Sequence, residues 1–239
     1  MKQFAIVLFV QLFVSQVFGT ANCEQSFKRY RTDRYSFSAE FVETSVLQRL
    51  MVQAPLSSIE RGLIQSFVPQ KTPKTCWASA SAIALNAIEL RRARLAKFTE
   101  EDLISSAPSL VEKERQAHDG MSLDELKERL ETKFNVKVSV VRNPSLDEIK
   151  NHLARAFSES GPPMVILANF ESEHLGMSPG GHYSPIGKPS ADLNSVLVLD
   201  VAAHHNPPFW SGLNGLLKAA ATVDKVSGKM RGFLIVEER

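Results

Sequence analysis

The sequence predicts an α+β domain, on three observations. The segment after Cys76 (Ala78, Ala80, Ala82, Ile83, Leu85, Ala87, Ile88) contains no Gly or Pro and ends in Glu89–Arg94. It therefore reads as a helix buried along most of its length. The last third instead carries apolar runs, Met164–Phe170 and Val196–Val201, set off by Gly, Ser and Pro, as buried strands are. With 239 residues, 44% hydrophobic and 23% charged, the chain suits one sizeable domain with a full core. A helical N-terminal half then faces a strand-rich C-terminal half, with a substrate cleft expected between them.

In chain order, Lys2, the apolar run Phe4–Val14 and the small residues before Gly19 and Ala21 match a cleaved secretory signal over 1–21. Gln11 and Gln16 make the same stretch short and polar for a membrane span, so no stable membrane insertion is expected after cleavage. The mature chain, 22–239, is expected to be exported to a periplasmic or extracellular location. Residues 22–38 read as a polar surface arm. Phe41–Val52 reads as an amphipathic helix ended by Pro55, and Ser57–Phe67 as a short helical turn. Beyond the Cys76 helix, Thr99-Glu-Glu-Asp opens another helical stretch with Thr99 as its cap, and Ser122-Leu-Asp-Glu and Ser145-Leu-Asp-Glu resemble helix starts with an acid at the third helical position. Val136, Val138 and Val140 alternate with polar neighbours as a strand does. After Met164–Phe170 come a Gly/Ser/Pro loop from Glu171 to Gly181 and a short strand at His182–Ile186. The strand Val196–Val201, a helix over Leu213–Val223 and a closing strand over Gly232–Val236 complete the chain.

Charge and motifs exclude several functions. A formal charge of +2, or +1 once Lys2 leaves with the leader, gives no pull toward nucleic acid or anionic membrane. There is no phosphate loop, dinucleotide fingerprint or HExxH. His204-His205 would point to opposite faces of a strand, and no Cys or carboxylate cluster stands at ligand spacing. His118, His152 and His174 read as turn, helix and loop residues.

The chemistry centres on Gln70–Ser81. Cys76 begins a helix, where orphan N–H groups and the macrodipole favour a thiolate. Gln70, six positions earlier, can supply a side-chain amide beside the Cys76 backbone N–H as an oxyanion hole. A thiolate nucleophile needs a base and the base an orienter. His182 follows Gly180-Gly181, where backbone approaches a ligand closely, and Asp200 ends a buried apolar run where a carboxylate must be paired. On residues alone, Cys76 reads equally as a small core residue, His182 as a satisfied core histidine and Asp200 as an acceptor for loop N–H groups. Cys23 also survives leader removal, and a Cys23–Cys76 disulfide would abolish the nucleophile.

Three blocks together resemble the phytochelatin synthase family, especially its short bacterial members, within the papain-like cysteine peptidases. They are Gln70…Cys76 with Leu85–Ile88; Gly180-Gly-His-Tyr-Ser-Pro-Ile-Gly187 with Leu197–Ala202 and Pro207–Trp210; and Thr222–Phe233. The likeness runs from about Ser57 to Val236. It implies a papain-like fold with an antiparallel C-terminal half, Cys76 as nucleophile, His182 as base, Asp200 as orienter and Gln70 as oxyanion donor. It further implies that Asp224 and Arg231, with the Gly181 backbone, hold the γ-glutamyl head of glutathione. The implied activity is glutathione γ-glutamylcysteinyltransferase: cleavage of the Cys–Gly bond through a Cys76 thioester, then hydrolysis or transfer to a second glutathione. No cofactor is expected on the chain, any activation by cadmium or zinc coming from glutathione thiolates of the metal, and a homodimer is the implied assembly. Trp77 stands where these synthases usually carry Gly, and Ala203 where they usually carry Arg. Those departures keep two alternatives open: an exported papain-like peptidase for other peptides, and a non-enzymatic thiol- or metal-binding module.

Overall fold

The computed structural model describes residues 56–239 other than Ala96 and His204, together with the backbone of two-residue strands at 28–29 and 40–41. The expected leader, Cys23 and nearly all of the helix expected over Phe41–Val52 lie outside the described residues. Phe41 itself belongs to a strand, so a helix beginning there is corrected.

The described chain runs β1 (Lys28–Arg29), β2 (Glu40–Phe41), α1 (Ser58–Gln65), α2 (Cys76–Arg91), α3 (Glu100–Ser105), α4 (Leu110–Asp119), α5 (Leu123–Lys133), β3 (Val136–Val141) and α6 (Leu146–Ala156). It continues through β4 (Met164–Glu171), a 3-10 turn (Ser172–Leu175), β5 (Gly181–Pro189), β6 (Ser195–Val198), β7 (Phe209–Gly212), α7 (Leu213–Ala220) and β8 (Gly232–Glu238). The strands form one antiparallel sheet in the order β1-β2-β7-β6-β5-β4-β8-β3. The α+β class is what the structure has.

Helices cover both faces of this sheet. Val165, Leu167, Leu197, Leu234 and Val236 join α1, α2 and α5 in one core. Met164, Ile166, Ala168, Phe170, Val196 and Ile235 face the other way, onto α6 and α7. A strand buried on both faces has no polar side to show, which is why Met164–Phe170 reads as a continuous apolar run. Alternation is clear in the edge strand β3, whose Lys137 and Ser139 are exposed.

Local chemistry fixes the helices. Ser57, Thr99 and Ser122 each accept from the third helical N–H while Glu60, Asp102 and Glu125 reach back to the cap, giving three capping boxes; each such cap contributes about 1 kcal/mol. Ser145 caps α6 through the Glu148 N–H. The helix opened by Thr99 ends at Ser105, and a separate α4, capped by Ser109, follows Pro108. Helix α1 approaches α2 closely, since a Cβ on Gly62 would meet Ala87 O at 3.0 Å. In α2, Cys76 to Ile88 are all buried. This is the fixed axle against which the rest of the site is set.

Candidate active site

The nucleophile position is built by the start of α2. Thr75 does not cap the helix with its side chain; its Oγ1 donates instead to Thr72 O at 3.0 Å. Ala78 N–H turns back to Thr75 O at 3.0 Å, while the Cys76 and Trp77 N–H groups precede the first intrahelical bonds. One of them, Trp77 N–H, bonds the Cys76 sulfur, as does Tyr183 N–H from β5 and the His182 imidazole. Cys76 is a free, buried thiol. Burial pushes its pKa up, but the His182 hydrogen bond and charge, with the two backbone N–H groups, outweigh that and hold it below the ordinary 9.0.

His182, the second residue of β5, is 9% exposed and Asp200 is wholly buried. His182 Nε2 lies 2.6 Å from Asp200 Oδ1. With Asp200 as acceptor, Nε2 carries hydrogen and Nδ1 is the ring nitrogen left for the sulfur. The edge of Phe170, its register partner on β4, packs against the ring at 5.7 Å. Asp200 follows β6 and also accepts from Ala202 N–H at 2.8 Å. Burial opposes the imidazolium, but the Asp200 charge and hydrogen bond, followed by those of Cys76, push its pKa up to about 10. The three side chains thus stand in series, Cys76–His182–Asp200, in a setting that favours a thiolate–imidazolium pair.

Gln70 reaches the same place by a short loop. Its N–H donates to Val201 O at 2.8 Å, tying it to the residue after Asp200. Lys71 N–H is held by Glu100 Oε2 at 2.9 Å. The Gln70 side-chain Nε2 donates to Thr72 O at 2.9 Å. One of its two amide hydrogens is therefore engaged and one remains.

A cleft of about 790 Å³ opens over Cys76, lined by Gln70, Cys76, Gly181, His182, Asp224 and Arg231 among others. Six of the seven sequence-predicted residues thus meet in one cavity, and Asp200 sits behind His182. Asp224 and Arg231 come from one tight turn and pair with each other, Arg231 Nη1 to Asp224 Oδ1 at 3.3 Å. Arg231 Nη1 also donates to Asn169 Oδ1 at 3.1 Å and Nη2 to Glu171 Oε2 at 3.2 Å. Its guanidinium lies on Gly181, where an added Cβ would fall 2.3–2.6 Å from Nη1, Nη2 and Cζ. Only a glycine fits there.

A family model for phytochelatin synthase matches residues 34–233. The chain belongs to the phytochelatin synthase family. A glutathione gamma-glutamylcysteinyltransferase of Schizosaccharomyces pombe is 27% identical over 180 residues, covering 73% of this chain and 42% of the relative. Glutathione gamma-glutamylcysteinyltransferases 1 and 2 of Arabidopsis thaliana are 28% and 26% identical, each again over 73% of this chain, and 36% and 39% of the relatives are covered. The chain therefore spans about two fifths of the length of these curated relatives.

In this phytochelatin synthase family member, sequence reasoning missed Asn169, Glu171 and the Tyr183 N–H. A signal for Asn169 was present: a lone amide inside Met164–Phe170 must find a buried partner. Glu171 sits where that strand meets the loop, and only the β4–β5 register shows that it faces Gly181. Among the rival histidines, exposed His118 bonds Asp119 at 2.8 Å. His152 is in α6, His174 is in the 3-10 turn at the cleft wall, and His205 lines the cleft from the loop after Asp200. No group of three His, Cys, Asp or Glu able to hold a metal occurs among the described residues.

Proposed function

We propose that this family member is a thiol acyltransferase and hydrolase acting on glutathione in the manner of a glutathione γ-glutamylcysteinyltransferase. The observation that carries the reading is the Cys76–His182–Asp200 series at the floor of a cleft whose wall bears Arg231. The Cys76 thiolate attacks the carbonyl of the Cys–Gly bond. The remaining Gln70 amide hydrogen and a backbone N–H at the start of α2 receive the oxyanion. The imidazolium gives its proton to the departing glycine nitrogen as the C–N bond breaks, leaving a γ-glutamylcysteinyl thioester. Water or the α-amine of a second glutathione then attacks the thioester carbonyl, giving its proton to neutral His182, and the C–S bond breaks to return the Cys76 thiolate, releasing γ-glutamylcysteine or a phytochelatin. Asp224 and Arg231 are assigned to the γ-glutamyl head.

A nucleophile on a helix start, facing a base and its acid on an antiparallel sheet, also supports a papain-like fold. The leader expected over 1–21 supports a reaction outside the cytosol, and a homodimer is the assembly we propose. Cadmium or zinc would enter as glutathione thiolates, that is, as substrate in a metal response. The test is intact mass after brief exposure to glutathione, with glycine release measured in parallel. An adduct of γ-glutamylcysteinyl mass on Cys76, absent from Cys76→Ala, is expected, and His182→Ala should release no glycine. A reactive Cys76 with neither adduct nor glycine would assign the site to other peptides, and a mass two hydrogens short would place Cys76 in a disulfide with Cys23.

A further inference from the structure

Within the cleft, two carboxylates share one guanidinium, and they are not equivalent. Asp224 is committed to its own turn. Its Oδ1 accepts from Arg231 Nη1 and from Val226 N–H, each at 3.3 Å, and its Oδ2 accepts from Ser227 Oγ at 2.8 Å. The same turn is closed by Asp224 N–H to Lys229 O and Gly228 N–H to Asp224 O, both 2.8 Å. Three of roughly four acceptor positions are thereby filled. Glu171 spends one oxygen on Gly180 N–H and the other on Arg231 Nη2, which leaves a lone pair on each. Exposure follows the same order: the side chain of Glu171 is 18% exposed and that of Asp224 9%.

The charges do not balance. Arg231 is one cation held between two carboxylates, so this trio carries one excess negative charge in a largely dehydrated setting, where an unpaired charge is costly. A ligand with an ammonium removes that excess. Arg231 also keeps capacity. Three of its five N–H groups are engaged, and Nε is buried without a partner. A carboxylate on the same ligand would satisfy the remaining donors. An α-amino acid head presents both groups on one carbon.

Resting on the proposed reaction, we infer that Glu171 is the residue that receives the α-ammonium of the γ-glutamyl head and selects for it, while Asp224 holds Arg231 and the turn in position. Its place in the fold suits the role, since Glu171 pairs with Gly181 in the β4–β5 register, one step from the Phe170–His182 pair. Recognition of the head is thereby built onto the strand that aligns the base.

The experiment compares glutathione with glutaryl-cysteinylglycine, which lacks only the ammonium, in the full-length wild type, Glu171→Gln and Asp224→Asn. A charge-assisted hydrogen bond corresponds to a preference for glutathione of about 10- to 100-fold in kcat/KM for the wild type. Glu171→Gln keeps the shape and the acceptor for Gly180 N–H but loses the charge and the acceptor for Arg231 Nη2; Asp224 and Asn169 still hold Arg231 through Nη1. Its preference should fall to about threefold, through KM for glutathione. Asp224→Asn should weaken both substrates alike and preserve the ratio. Equal use of the two substrates by wild type overturns the inference whatever the variants do. So does a Glu171→Gln that loses both substrates in proportion, or an Asp224→Asn that alone erases the ratio. No glycine released from glutathione by wild type would remove the underlying reaction; release with an unmoved ratio removes only the role of Glu171.

Discussion

Asp200→Asn isolates the electrostatics of the site from the identity of its substrate. In the wild type, burial opposes a charged His182, and the Asp200 carboxylate is the largest of the influences that overcome it. The rise from 6.5 to about 10 corresponds to roughly 5 kcal/mol favouring the imidazolium. Removing the charge while keeping the shape leaves burial unopposed by any carboxylate. The ring then turns neutral at neutral pH and the sulfur loses its cation. Burial next drives the thiol to or above its ordinary 9.0. At pH 7 a thiol of pKa 9 is about 1% thiolate, so alkylation of Cys76 by iodoacetamide should slow by up to about 100-fold. The alkylation rate followed from pH 5 to 10 should move its inflection upward by the same displacement. A variant alkylated at pH 7 within about threefold of the wild-type rate, with its inflection unmoved, would mean that the thiolate owes nothing to Asp200 through His182.

Further outcomes follow from the same geometry. Gly181→Ala places a Cβ 2.3–2.6 Å from three guanidinium atoms, so Arg231 must withdraw by about 1 Å and lose its bonds to Asn169, Asp224 and Glu171. The KM for glutathione should rise at least about 10-fold, and steady-state kinetics with an unchanged KM would remove Arg231 from head recognition. The Cys76–His182 pair also shapes stability against pH. His182, raised from 6.5 to about 10, contributes stability that is full below 6.5 and lost as pH rises through about 10. Cys76, lowered from 9.0, contributes stability that is full above 9.0 and lost as pH falls through its lowered value. Below 9.0 the two slopes oppose each other wherever both groups titrate, so the Tm difference between wild type and the Cys76→Ala/His182→Ala double variant should vary less there than above 9.0, where His182 alone slopes it downward. A steady decline beginning at 6.5 would show that the thiol stays protonated.

Much of this fold is legible where local chemistry decides it. Ser57, Thr99 and Ser122 announce helix starts because each cap and its acid lie three residues apart. The buried length of α2 is legible because nothing polar interrupts Ala78 to Leu85 except small serines, two of which have hydroxyls satisfied by backbone carbonyls, Ser79 on Val68 and Ser81 on Trp77. Strand β7 is not legible: Phe209–Gly212 is too short to show a period, and its place beside β6 and β2 is fixed by pairing far along the chain. The run Val196–Val201 reads as one strand, yet ladder pairing stops at Val198 and the chain continues buried, with Leu199 N–H bonded to Pro185 O. That departure from the ladder precedes Asp200 directly and delivers it to His182.

The site shows the same division. Cys76, His182 and Asp200 can be found in the sequence because a helix start, a paired glycine and a carboxylate ending an apolar run are each unusual where they stand. Their charge states cannot be read there, since they arise from residues 106 positions apart being brought into contact. The wall that bears Arg231 is harder still. Asp224 is visible as an acid near Arg231, but a spacing of seven is equally that of a turn closing on itself, and the structure gives Asp224 that second duty. Glu171 follows an apolar strand and looks like the first residue of a solvated loop. Only the sheet register sets it opposite a glycine that has no side chain, on which a guanidinium can lie. The charged wall rests on an empty position, Gly181, that lets charged groups from β4 and from the turn before β8 converge beside His182.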